Sequence, residues 1–129
     1  MERTGGRDVR ILEVKWFVRF ARQHGIEDAA LLDAVERAER GLIDAVLGGG
    51  VIKQRIARPG GGKSGGFRSV ILFRQGERAF FVYGFAKNEL ENISAQDLQE
   101  FRELAREVFA FTDAEINFAV KTGKFRELK

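Results

Sequence analysis

Eight cations fall between positions 53 and 89: Lys53, Arg55, Arg58, Lys63, Arg68, Arg74, Arg78 and Lys87. No acidic residue interrupts them between Lys53 and Arg74. The chemistry open to such a group is recognition of a polyanion, because clustered Lys and Arg neutralise successive phosphates. Residues 58 to 66 are glycine-rich and carry Lys63; glycine amides together with one lysine make a generic anion site. Cutting a phosphodiester asks for more. It needs a base for the ribose 2′-OH proton, a donor for the leaving 5′-oxygen, and cations on the phosphate in flight. Like charges nearby lower a lysine pKa, so a lysine in this group can act as base. An arginine stays charged and clamps the phosphate instead.

Other side chains offer less. His24 is the sole histidine and falls where a short helix should end, a solvated or helix-terminal position. There is no cysteine, which removes disulfides and Cys-based zinc centres. Neither a metal site nor a cofactor is expected, and no Ser-His-Asp set assembles. Residues 57 to 64, ARPGGGKS, satisfy a loose Walker A pattern with Ala57 in place of the first glycine. A P-loop needs a helix after it, and a β-rich run follows here, so nucleotide hydrolysis is set aside. Tyr83, the sole tyrosine, lies in an apolar run and reads as core or as a stacking residue rather than an acid. Taken singly, each Lys or Arg is a solvated charge. Taken together, Arg55, Arg58, Lys63, Arg68 and Lys87 gather around one loop and the adjoining strand ends.

The elements that position them can be read from periodicity. Val51, Lys53, Arg55 and Ala57 alternate with Ile52, Gln54 and Ile56, which predicts a strand with one apolar and one largely cationic face. Residues 69 to 73 and 79 to 85 are continuous apolar runs joined at Gln75 and Gly76, a buried hairpin. Ahead of them, Phe17, Phe20 and Ala21 mark a helix from 16 to 23 that Gly25 stops. Leu31, Ala34, Val35, Ala38, Leu42 and Ala45 predict a second helix from Asp28 to about Val46, broken by Gly48, Gly49 and Gly50. Its acids form a solvated face, with Arg37 and Arg40 one turn from a carboxylate. Ser94 with Asp97, and Thr112 with Glu115, are capping boxes that open two C-terminal helices. Residues 10 to 16 either form an edge strand or extend the first helix. The order predicts an α+β fold: two N-terminal helices, a central antiparallel sheet of three to four strands with helices on one side, and C-terminal helices.

A chain of 129 residues with 44% hydrophobic content can bury a core. We expect a flexible tail over 1–9 and a single domain over 10–129. The net charge of +3 conceals an uneven distribution: residues 27 to 44 carry six acids and two bases, residues 50 to 88 eight bases and one acid. The first residues lack a secretory signal pattern and no apolar run approaches the ~18 residues of a membrane span. The expectation is a soluble cytoplasmic protein. Most of the twelve phenylalanines belong to the core, leaving one or two to stack on bases.

ARPGGGKSGGFRSVILF followed by FFVYGFAKNELENIS resembles the RelE/HigB-like toxins of bacterial type II toxin–antitoxin modules, within the RelE/ParE superfamily. The resemblance covers roughly residues 10 to 115, and its specific part is 51 to 98. It implies a RelE-like, microbial-RNase-type fold and a ribosome-dependent endoribonuclease that cuts A-site mRNA. The implied reaction is metal-independent attack by the 2′-OH, leaving a 2′,3′-cyclic phosphate. It implies as partners a cognate antitoxin of helix-turn-helix type, the ribosome and mRNA, with no membrane. By position Arg68 matches the family's phosphate-binding arginine. Arg55 and Arg58 fall near its strand lysines, and Lys63 and Lys87 match lysines of the closest branch's own motifs. The resemblance thus points to Lys63, Arg68 and Lys87 for catalysis and to Arg55, Arg58, Asn88 and Tyr83 for RNA. Asn88 stands where RelE itself has an arginine, and Ile93 near its catalytic tyrosine, so the proton donor is unassigned. A non-catalytic nucleic-acid-binding module, or a degenerate toxin kept for antitoxin binding, is the alternative.

Overall fold

The computed structural model describes residues 9–57, 66–86 and 93–128. In chain order the elements are β1 (Arg10–Val14), α1 (Lys15–Gln23), α2 (Asp28–Glu39), β2 (Ala45–Gly48), β3 (Val51–Ile56), β4 (Phe67–Arg74), β5 (Arg78–Ala86), α3 (Ala95–Ala110), α4 (Asp113–Lys121) and β6 (Phe125–Leu128). The fold is α+β, with four helices and one mixed six-stranded sheet ordered β2-β3-β4-β5-β1-β6. Every neighbouring pair is antiparallel except β1 and β5, which run parallel.

Four expectations are corrected. The sheet has six strands rather than three or four, and it is mixed. Residues 10–14 form an inner strand, not an edge strand, because β6 covers the far side of β1. The second helix stops at Glu39 instead of continuing to Val46. Gly41 adopts φ +85°, a left-handed conformation that ends the helix without a Cβ clash, and residues 45–48 pair with β3. The three glycines at 48–50 therefore turn a hairpin rather than break a helix. Finally, helices cover both faces. Phe17, Phe20, Leu31 and Val35 from α1 and α2 pack on Ile52, Ile56, Ile71 and Phe81. Ala105, Val108 and Ile116 from α3 and α4 pack on Leu12, Val51, Val70, Leu72 and Phe80. Continuous apolar strands such as β4 and β5 are what a sheet buried on both sides requires.

Local signals behave as their chemistry dictates. Ser94 caps α3 by accepting from the Asp97 amide at 3.0 Å, while Thr112 and Glu115 complete a reciprocal capping box on α4. Beyond Phe81 the inner neighbour of β5 is gone, because the chain turns from β1 into α1 at Lys15. α1 then follows the second half of β5: Phe17 lies 5.0 Å from Phe81 and His24 5.0 Å from Phe67. Gly84 makes this approach possible, since a Cβ there would sit 2.4 Å from the Phe20 ring. The Gly84→Ala substitution should cost about 1–3 kcal/mol through overpacking, read as a fall of several degrees in melting temperature.

One charge is deeply buried. Glu13 on β1 is 1% exposed and accepts from Arg126 Nη1 on β6 at 2.8 Å. The same guanidinium donates to both Asp28 oxygens at 3.1 and 2.8 Å. Burial pushes the Glu13 carboxyl above its ordinary range, and the Arg126 hydrogen bond offsets this in part. Asp28 moves the other way, held low by its hydrogen bond to Arg126. The network fastens β1, the start of α2 and β6 to one another. No helix among the described residues is long and apolar enough to cross a membrane.

Candidate nucleic-acid interface

The eight clustered cations do not form one patch. Arg74 and Arg78 are register partners at the turn end of the β4–β5 hairpin. Arg78 donates to the Val108 carbonyl at 2.9 Å and pairs with Asp113 at 3.3 Å. Arg74 sits 4.5 Å over the Phe109 ring and 3.8 Å from Glu77. Both serve the fold at the hairpin turn.

Arg55 and Arg68 face each other at the other end. They are direct cross-strand partners on β3 and β4, and Phe85 of β5 is the next residue across the ladder. Two rungs in, on the same face, Lys53, Val70 and Tyr83 line up in the same way. Arg68 Nη1 is in addition buried with no hydrogen-bond partner among the described residues. A guanidinium nitrogen shielded from water and left unpaired is short of an acceptor. The two arginines form a cationic cradle at this end of the sheet.

The backbone beneath it is firmly held. Gln54 is fully buried, and its Nε2 donates to the Ala34 and Leu42 carbonyls at 3.0 Å each. Its Oε1 accepts from the Asp44 amide at 3.0 Å. Asp44 in turn accepts from the Arg55 amide at 2.5 Å, and Arg37 Nη2 donates to the Arg55 carbonyl at 2.7 Å. On β4, Ser69 Oγ donates to the Gln54 carbonyl at 2.9 Å. Every polar group around the Gln54–Ser69 rung is thus tied down, which fixes the neighbouring Arg55–Arg68 rung. Phe101 of α3 lies 6.2 Å from Tyr83, and Phe109, later in the helix, lies near Gly50 and Arg74. The N-terminus of α3 therefore points toward the cradle end, adding positive potential there.

Of the residues expected at the site, the structure brings together Arg55 and Arg68, with Tyr83 two rungs away. Arg58, Lys63, Lys87 and Asn88 lie outside the described residues. The positions from which their segments leave the sheet, Ile56, Phe67 and Ala86, are successive register partners at the cradle end. The ARPGGGKS stretch leads into β4 at Phe67 and not into a helix, so the context of a P-loop is missing.

A second cationic group was not anticipated from the sequence. Lys15, Arg19 and Arg22 on α1, with Arg126, rim a groove of about 620 Å³ between α1 and β6. The recurrence of Lys15, Arg19 and Arg22 at i, i+4 and i+7 is the signal that reveals it, since such residues share one helical stripe. Because α1 follows the second half of β5, this stripe lies toward the same end of the sheet as the cradle.

A mixed sheet with helices on both faces and an arginine pair at one end of its central strands defines a small α+β protein with a cationic sheet end. The family model described as "RelE toxin of RelE / RelB toxin-antitoxin system" matches residues 9–128, so the chain belongs to the RelE toxin family, as the sequence motifs implied. It is thereby a toxin of a toxin–antitoxin module, and membership implies an antitoxin partner. No curated protein matches the chain.

Proposed function

We propose that this toxin is a ribosome-dependent mRNA endonuclease. The observation that carries the reading is the Arg55–Arg68 rung, two arginines paired across adjacent strands, with Arg68 Nη1 buried and without a hydrogen-bond partner among the described residues. A scissile phosphate supplies that partner. As negative charge grows on its oxygens the two forks hold it more tightly. In this reading the 2′-oxygen attacks the adjacent phosphorus and the 5′-oxygen leaves. The products are a 2′,3′-cyclic phosphate and a 5′-hydroxyl. Lys63 and Lys87 are the candidates for proton transfer, while Arg58, Asn88 and Tyr83 contact the RNA. The second cationic stripe on α1 suits a target larger than one strand, as structured ribosomal RNA around a messenger would be.

One observation favours the non-catalytic alternative. The described residues on the Arg55–Arg68 and Lys53–Tyr83 rungs supply binding groups but no carboxylate or imidazole to carry a proton. Mapping the 5′ ends of cellular mRNA after induction separates the two readings. Codon-phased new ends bearing 5′-hydroxyls are expected of the nuclease. Growth arrest or RNA binding without new ends would overturn it in favour of a binding module.

A further inference from the structure

We propose that Trp16 is the nucleobase-stacking residue of the cradle and sets which base is read beside the bound phosphate. The proposal rests on the nuclease reading for its substrate, but its stacking claim can be tested without cleavage.

Large apolar side chains exposed singly need no explanation of their own, so it is their position relative to the cradle that tells them apart. Four stand out among the described residues: Trp16, Leu42, Val46 and Phe118. Leu42 and Val46 lie at the β2 edge and Phe118 on α4, whereas Trp16 alone of the four contacts a residue of the cradle face. Trp16 is 40% exposed. It reaches from α1 past the end of β1 to stack on Tyr83, with centroids 4.7 Å apart and planes 21° from parallel. Phe20 stacks against it at 5.4 Å and 11°. Phe20 is itself wedged over Gly84. The ring is therefore held in one orientation before any ligand arrives, so little side-chain entropy remains to be lost on stacking.

The spacing suits one nucleotide. Tyr83 is two residues from Phe85 along β5, about 7 Å, and Phe85 is the direct partner of Arg68 across the ladder, about 5 Å away. A base attached to the phosphate at Arg68, or its neighbour, spans that distance. Tyr83 has Trp16, Phe85 and Phe101 around it and, besides the RNA contact proposed for it, orients the Trp16 ring. Aromatic stacking under a base, next to arginines on the backbone, is the general chemistry of single-stranded RNA capture.

Trp16 is the only tryptophan in the chain, so its emission reports directly on the claim. The experiment titrates the full chain with a short single-stranded RNA whose 2′-hydroxyls are methylated to prevent cutting. It follows tryptophan emission and, independently, binding by fluorescence anisotropy of a labelled RNA. In parallel, mRNA cut sites are mapped for wild type, Trp16→Leu and Trp16→Phe. We expect quenching that saturates with binding, and about tenfold weaker binding for Trp16→Leu. The base preference at cut sites should shift in Trp16→Leu and be largely kept in Trp16→Phe. RNA binding with unchanged emission, and a Trp16→Leu variant that binds and cuts as wild type does, would overturn the proposal while leaving the nuclease reading intact. Quenching without any cuts would support the stacking role and overturn the nuclease. A wild type that neither binds RNA nor cuts would overturn both.

Discussion

Replacing Arg68 with alanine should lower mRNA cleavage by about a hundredfold or more, the usual effect of deleting one preorganised donor to a charge that develops in the transition state. The same change should leave melting temperature unchanged or raise it slightly. Removal of a buried surface cation usually destabilises by stripping its packed stem. Here that loss is set against the end of an unsatisfied buried nitrogen. Opposed signs on activity and stability are the signature of a site kept under tension for its ligand. Arg68→Lys should recover only part of the activity, because an ammonium lacks the planar fork that grips two phosphate oxygens. Assays on ribosomes programmed with a short messenger, paired with thermal melts, provide the test. A folded Arg68→Ala protein that cuts at the wild-type rate would remove the cradle from the mechanism.

Arg126→Ala should be the most damaging substitution outside the hydrophobic core. It strands Glu13, which is almost wholly buried, and releases Asp28. Stripping one partner from a buried pair costs about 3–5 kcal/mol; because the Arg126 side chain is 42% exposed, water can reach part of the gap, and about 2 kcal/mol is expected. The loss should depend on pH in a defined direction. Glu13 is raised above its ordinary 4.5 in the folded protein, so its contribution favours folding below about pH 4.5 and fades as pH climbs through the raised value. Without Arg126 the rise is larger, and the variant should regain stability on going from pH 7 to pH 5. Asp28, held below its ordinary 3.8, contributes the reverse: its stabilisation is present above 3.8 and is lost as acid protonates it through the lowered value. Arg126→Ala removes that second contribution. Adding Glu13→Met, which replaces the stranded acid with an apolar chain of similar size, should restore most of the loss. Urea denaturation at the two pH values decides this. An equal deficit at pH 5 and pH 7 would show that Glu13 is not the cause.

What the sequence made legible follows the range of each signal. The β4–β5 hairpin, the two-faced β3 strand, the apolar stripe of α1 and the caps at Ser94 and Thr112 all depend on residues within a turn or two of one another, and all are found. The missed features depend on partners far away in the chain. Leu42 and Ala45 fit a helical repeat as well as they fit a loop and a strand; pairing with β3 and the left-handed turn at Gly41 decided between them. Residues 125–128 are too few to show a period, and only pairing with β1 makes them a strand. The basic segment looked like one patch because sequence distance hides the hairpin, which carries Arg74 and Arg78 to the opposite end of the sheet from Arg68. The Arg55–Arg68 rung required the register, and Trp16 required knowing where β1 stops.

The placement of β1 has a kinetic consequence. β2 through β5 form a meander that can zip up from neighbours in the chain. β1 cannot join until β5 presents its edge, about seventy positions later, and β6 must travel more than a hundred positions to close on β1. Contacts of such separation form late and slowly. Glu13 thus waits for Arg126 until the final strand docks, and a chain halted before that moment carries an assembled arginine cradle on a sheet that is still open.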